Sequence, residues 1–110
     1  MKTSALLVLA LGLLVSGPVG AQGAAQGEKV FADKKCSICH LVAGVGNKKG
    51  HTLDGVGAKL TADEIRQWIT NAPEMAAKAN ITVKPPMKAY TDFSKAEVDA
   101  LVAYLSTLKK

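Results

Sequence analysis

The chain has 110 residues and a formal net charge of +5, with 48% hydrophobic but only 5% aromatic residues. One domain is expected at this length, and in that size range a core made of side chains alone is marginal. The modest basic excess and the few aromatics (Phe31, Trp68, Tyr90, Phe93 and Tyr104) argue against a nucleic-acid-binding surface.

The first 21 residues have the layout of a secretory signal peptide. Lys2 supplies a basic start, and Ala5 to Val15 is an apolar run broken by one glycine. Ser16-Gly17-Pro18 ends the run, and Val19-Gly20-Ala21 offers small residues for cleavage. The run is shorter than the ~20 apolar residues of a membrane-spanning helix; an uncleaved anchor is the alternative. Removing residues 1–21 takes away only Lys2 and leaves a formal +4. Residues 22–26 read as a flexible leader and 27–110 as the folded domain. No internal repeat or second-domain linker is visible.

A short helix is expected from Gly27 to Lys34, carrying Val30 and Phe31. It is too short to persist alone. Immediately after it stands Cys36-Ser37-Ile38-Cys39-His40, a C-x-x-C-H run, which reads as a covalent c-type haem attachment site. Two thiols at this spacing can each add to one haem vinyl group, and the histidine that follows is held where its imidazole becomes an axial iron ligand. The alternatives are weaker. A thioredoxin-like redox pair needs a βαβ context, which is not evident. A structural zinc site wants four Cys or His ligands, and the chain has only two of each, with His40 crowded against Cys39.

Gly44 to Gly57 reads as a glycine-rich loop. Thr61-Ala62-Asp63-Glu64 has the form of a capping box, followed by Ile65, Trp68 and Ile69 at helical spacing and by Pro73 as a stop. Ile81 to Phe93 reads as a proline-containing loop. Ser94-Lys95-Ala96-Glu97 is a second capping box, and Val98, Leu101, Val102, Leu105 and Leu108 then share one face. Lys109 and Lys110 suit the negative end of that helix. Nothing alternates as a strand should. The expected fold is all-α, with three main helices and their loops wrapped around one haem.

With these residues in place, nearly all of the chain after residue 26 resembles the small class I cytochromes c, the monohaem electron carriers. Gly27-Glu28-Lys29-Val30-Phe31 resembles the family's first helix and Leu101-Val102-Ala103-Tyr104-Leu105 its last. The resemblance implies that Gly27 permits close approach of the two and that Phe31 meets Leu101 and Tyr104. It further implies a late methionine as the second axial ligand. Pro85-Pro86-Met87 matches the proline-flanked pattern; the prolines restrict the approach backbone, and Pro86 would pack on the haem. Met75, in Asn71-Ala72-Pro73-Glu74-Met75, lacks such an approach and reads as packing. Gly50 to Gly57 resembles the loop that lines the histidine side of the haem, with Leu53 against the ring. There the family usually has a proline whose backbone carbonyl holds the axial histidine. This chain has His51, whose carbonyl can make the same bond; His51 as a second iron ligand is the alternative. Trp68 is a candidate indole donor to a haem propionate or, equally, a core residue; Tyr90 and Arg66 are further propionate candidates.

Lys34, Lys35, Lys48, Lys49, Lys84 and Lys88 flank the attachment motif and the Met87 loop. A basic rim of this kind steers association toward acidic docking surfaces. The resemblance therefore implies a periplasmic single-electron carrier between redox proteins, with one covalent haem c, His40 and Met87 on the iron, and no small-molecule substrate. Membrane contact would come only through partner complexes. A haem sensor or peroxidase-like enzyme with a displaceable Met87, and a dedicated subunit of one redox complex, are the rival functions.

Overall fold

A computed structural model describes residues 19–110. Five helices and one small sheet are found there: α1 (Val19–Asp33), β1 (His40–Val42), β2 (Val45–Gly46), β3 (His51–Thr52), α2 (Val56–Lys59), α3 (Ala62–Thr70), α4 (Ala72–Lys78) and α5 (Lys95–Ser106). The attachment motif forms a single 3₁₀ turn, Cys36–Ile38, between α1 and β1. Most of the stretch read as a signal peptide lies outside the described residues. Residues 19–21 begin α1, and the helix runs on through residues 22–26, read from sequence as a flexible leader. No helix among the described residues is long and apolar enough to cross a membrane.

The helices at the two ends of the described chain, α1 and α5, form the largest contact between elements. Gly27 is buried at their crossing, and a Cβ there would overlap the Ala100 carbonyl oxygen of α5. Phe31 sits edge-on to Tyr104, with ring centroids 5.8 Å apart, and is buried in the same cluster as Leu101. Val98, Leu101, Val102 and Leu105 bury one face of α5 against Phe31, Val42 and the Ile65 and Ile69 side chains of α3. Leu108 falls just beyond the end of α5 but still packs on this cluster, and its carbonyl accepts a hydrogen bond from Gly57 N–H at 2.8 Å.

Both capping boxes form. Glu64 N–H donates to Thr61 Oγ1 at 3.1 Å, and Thr61 N–H to Glu64 Oε1 at 3.0 Å. Ser94 and Glu97 repeat the arrangement at the same two distances. Arg66 of α3 pairs with Asp99 of α5 at 2.6 Å, and Lys34 pairs with Glu97 at 3.2 Å.

The all-α, three-helix expectation needs two corrections. Pro73 lies past α3, yet it also opens α4, where it occupies the first turn and its missing N–H costs nothing. The loop after the motif is partly sheet, in the order β2-β1-β3, with β1 antiparallel to β2 and parallel to β3. The β1–β2 turn holds Ala43 at φ 49° and Gly44 at φ 79°, the positive pair that a tight hairpin turn requires. Asp54 Oδ1 accepts the Ala43 N–H at 2.8 Å and closes the turn onto the start of the next loop. Strands of two or three residues are too short to show alternation in sequence.

Two outcomes test this packing. Gly27→Ala should destabilise the protein by about 2 kcal/mol in chemical denaturation, because the added methyl forces the helices apart. The Ser94 N–H, and then Lys34, hold the Glu97 carboxyl below its ordinary range. A depressed folded-state value stabilises fully above the ordinary carboxylate range, and the gain is lost as pH falls through the depressed value. Glu97→Gln should therefore make the loss of stability on acidification shallower.

Candidate haem site

A cavity of about 550 Å³ lies among these elements, within the ~300–1,000 Å³ usual for small-molecule and cofactor sites. Phe31 of α1 and Leu101 and Leu105 of α5 line it from the helix crossing. Ile65, Trp68 and Ile69 contribute from α3, and Ala72, Pro73, Ala76 and Ala77 from α4. His40, His51 and Leu53 contribute from the sheet and the residue after it, and the segment 81–93 supplies Ile81, Val83, Pro86, Met87, Tyr90 and Phe93. The lining is almost entirely apolar.

The parallel pairing of β1 with β3 sets His40 opposite His51. His40 Nδ1 lies 3.1 Å from the His51 carbonyl oxygen. A carbonyl only accepts, so Nδ1 carries the proton and Nε2 keeps a free lone pair. Burial pushes the His40 imidazole below its usual range, outweighing the opposing effect of that hydrogen bond, so the neutral, metal-ligating form is favoured. The partner carbonyl expected from a proline in this loop is thus supplied by His51, whose exposed side chain is not needed for it. Gly50 allows the loop to pass this closely, since a Cβ there would overlap the Cys39 carbonyl.

Cys36 lines the cavity and is half-buried, whereas Cys39 is exposed. Burial pushes the Cys36 thiol up and so favours uncharged sulfur at that position. The loop that carries Met87 is tied at both ends: Ile81 N–H donates to the Ala76 carbonyl at 2.9 Å and Tyr90 N–H to the Ile69 carbonyl at 3.0 Å. Tyr90 and Phe93 stack at 4.8 Å, and the Lys34 ammonium caps the Phe93 ring at 4.9 Å. Met75, on α4, is half-buried and is not among the lining residues. Trp68 lines the cavity and also a smaller hollow beside it, shared with Thr52, Asp54 and Lys59. Arg66, considered for a propionate, is engaged by Asp99 instead.

Sequence reasoning did not single out Val56, Leu60, Ile81 or Val83 as wall residues. Their only signal was apolarity in segments without periodicity.

The lining fits a covalently held haem: Cys36 stands on the wall of an apolar cavity, with Cys39 exposed next to the same turn, and the wall also carries the His40 imidazole and the Met87 thioether. The cytochrome c family profile matches residues 24–109, and the chain belongs to that family. The family binds covalently attached haem c and consists of electron-transfer proteins. The chain is also 31% identical over 92 residues to a cytochrome c oxidase subunit 2 from Alkalihalophilus pseudofirmus, an alignment covering 76% of this chain and 25% of that protein. The chain therefore spans about a quarter of that relative's length. No solved structure matches it.

His51→Ala should leave the His40 hydrogen bond in place, because the acceptor is backbone. The expected change in stability is within about 0.5 kcal/mol, as for other exposed side chains. A markedly altered haem spectrum in the variant would contradict the carbonyl assignment.

Proposed function

We propose that the protein is an exported, soluble monohaem cytochrome that carries single electrons between larger redox proteins in the periplasm of a bacterium. Cys36 and Cys39 form the thioethers, and His40 and Met87 are the axial ligands. The observation that supports this best is that Cys36, His40 and Met87 line one apolar cavity, with His40 already oriented by the His51 carbonyl. Bound haem supplies a one-electron ferrous/ferric couple. The chain's own residues hold it and keep water away: the helix crossing closes one side, and Pro86 with Leu53 packs beside the ring. Trp68, on the cavity wall, would either donate its indole N–H to a propionate or pack against the ring. Were His40 and Met87 both to hold the iron, oxygen and peroxide would find no open site, which favours carriage over catalysis. A thioether opposite imidazole raises the reduction potential.

The lysines around the motif and the Met87 loop favour partners with acidic docking surfaces. A second reading is favoured by the likeness to an oxidase subunit, namely that the domain works within one redox complex. Recovery in a stable, stoichiometric assembly at high salt would support that reading over free carriage.

Met87→Ala should open the sixth position. The reduced variant should bind carbon monoxide rapidly near neutral pH, and its midpoint potential should fall by roughly 100 mV or more, inside the ~0.8 V range that axial ligation spans. Met75→Ala should do neither. Rapid carbon monoxide binding by the unaltered reduced protein would sink the six-coordinate carrier, and a larger effect at Met75 would move the ligand assignment there.

A further inference from the structure

Leu108 and Lys109 stand just past the end of α5, yet both bond to one peptide group in α2, far earlier in the chain. The Gly57 N–H donates to the Leu108 carbonyl, and the Lys109 ammonium donates to the Gly57 carbonyl, each at 2.8 Å. The Gly57 backbone abuts the Ser106 carbonyl so closely that a Cβ there would overlap it. The Gly57 carbonyl needs an outside donor. α2 is only four residues long, and the last carbonyls of a helix have no donor within it. The Thr61 N–H stands four residues on, but it is given to Glu64 Oε1 in the capping box of α3. Lys109 forms no ion pair among the described residues, so its ammonium is free for this contact.

The clipped peptide closes the loop that serves His40. The Val56 N–H bonds back to the Leu53 carbonyl at 3.1 Å, and the Leu53 N–H to the Leu41 carbonyl at 2.8 Å. Just before Leu53 comes β3, where the His51 carbonyl meets His40 Nδ1. Strands β1 and β3 pair at only two positions, and so short a ladder does not hold its register alone. The loop therefore needs an anchor at its far end, and Gly57 is where it reaches the end of α5.

We propose that Leu108 and Lys109 are positioning residues for the axial histidine: they clip the Gly57 peptide and so hold the loop whose His51 carbonyl orients His40. This rests on the reading of His40 as an iron ligand and adds a remote control on it. A hydrogen bond from Nδ1–H makes the imidazole a more basic ligand, which favours ferric over ferrous iron. Slackening the clip lengthens that bond, weakens the donation and moves the midpoint potential upward. Lys110 carries the same charge one residue on, without the bond to Gly57, and is the matched control.

The test compares the haem-loaded wild-type, Lys109→Met and Lys110→Met proteins by NMR of the ferrous form and by potentiometric titration. In Lys109→Met the Gly57 N–H should exchange with solvent about threefold faster, the scale of one lost exposed hydrogen bond. The His40 Nδ1–H resonance should move upfield, as it does when a hydrogen bond lengthens. The midpoint potential should lie above that of Lys110→Met, which loses the same charge. Lys110→Met should keep the wild-type exchange rate and Nδ1–H resonance. Wild-type exchange at Gly57 in Lys109→Met overturns the proposal. So does faster exchange there with an unmoved Nδ1–H resonance and a potential equal to that of Lys110→Met, which would leave the clip a tie of the fold alone. An equal response in Lys110→Met would make charge the cause and also overturn it. The ligand reading has a separate readout, because ring protons of an iron-bound histidine are shifted far upfield by the macrocycle. Their absence from the wild-type spectrum takes down that reading, whereas the Gly57 comparison judges the clip.

Discussion

The contact between α1 and α5 at Gly27 is the constraint on which the rest of the molecule depends. It holds the two most distant helices of the described chain at backbone contact, with the Ala100 carbonyl where a side chain would otherwise stand. The same crossing presents Phe31, Leu101 and Leu105 to the cavity. α1 ends at Asp33, and Lys35, at φ 60°, turns the chain into the motif. α3 is then fixed against α5 by Ile65, Ile69 and the Arg66–Asp99 pair, which brings Trp68 to the cavity wall.

On that frame the site is assembled from short pieces. Three strands of two or three residues, a four-residue helix and a loop tied at Ala76 and Ile69 provide the groups closest to the chemistry. None of them would be stable alone. Their geometry comes from backbone hydrogen bonds to elements that are already packed: Leu53 N–H to the Leu41 carbonyl, Gly57 N–H to the Leu108 carbonyl, and Tyr90 N–H to the Ile69 carbonyl. Main-chain atoms thus orient the His40 imidazole, and side chains supply the apolar walls.

This division explains what could be read from the residues. Local chemistry was legible: Thr61 with Glu64 and Ser94 with Glu97 each carry their cap within four residues, and the helices start where these boxes place them. The motif and its histidine were legible for the same reason, since their spacing is the chemistry. The sheet was not, because His40–Val42 and His51–Thr52 pair through register rather than pattern. α4 was hidden because Pro73 punctuates both as a stop and as a first-turn residue, and only the packing of Ala72 decides which. The walls Ile81 and Val83 stand in a segment without period, and their placement depends on loop ties that sequence does not show. The role of the His51 carbonyl was implied by family resemblance and not by the residue itself, since any residue offers one.

The cavity has a consequence for how the protein comes into being. Its lining is almost wholly apolar, and apolar surface removed from water contributes about 25 cal/mol per Å², so an apolar group seated there would add to the stability of the fold. A group that binds the folded chain and not the unfolded one shifts the balance toward the fold, so covalent attachment of haem c would couple cofactor and fold. The step that joins haem to the two thiols would then also be a step in the maturation of the fold.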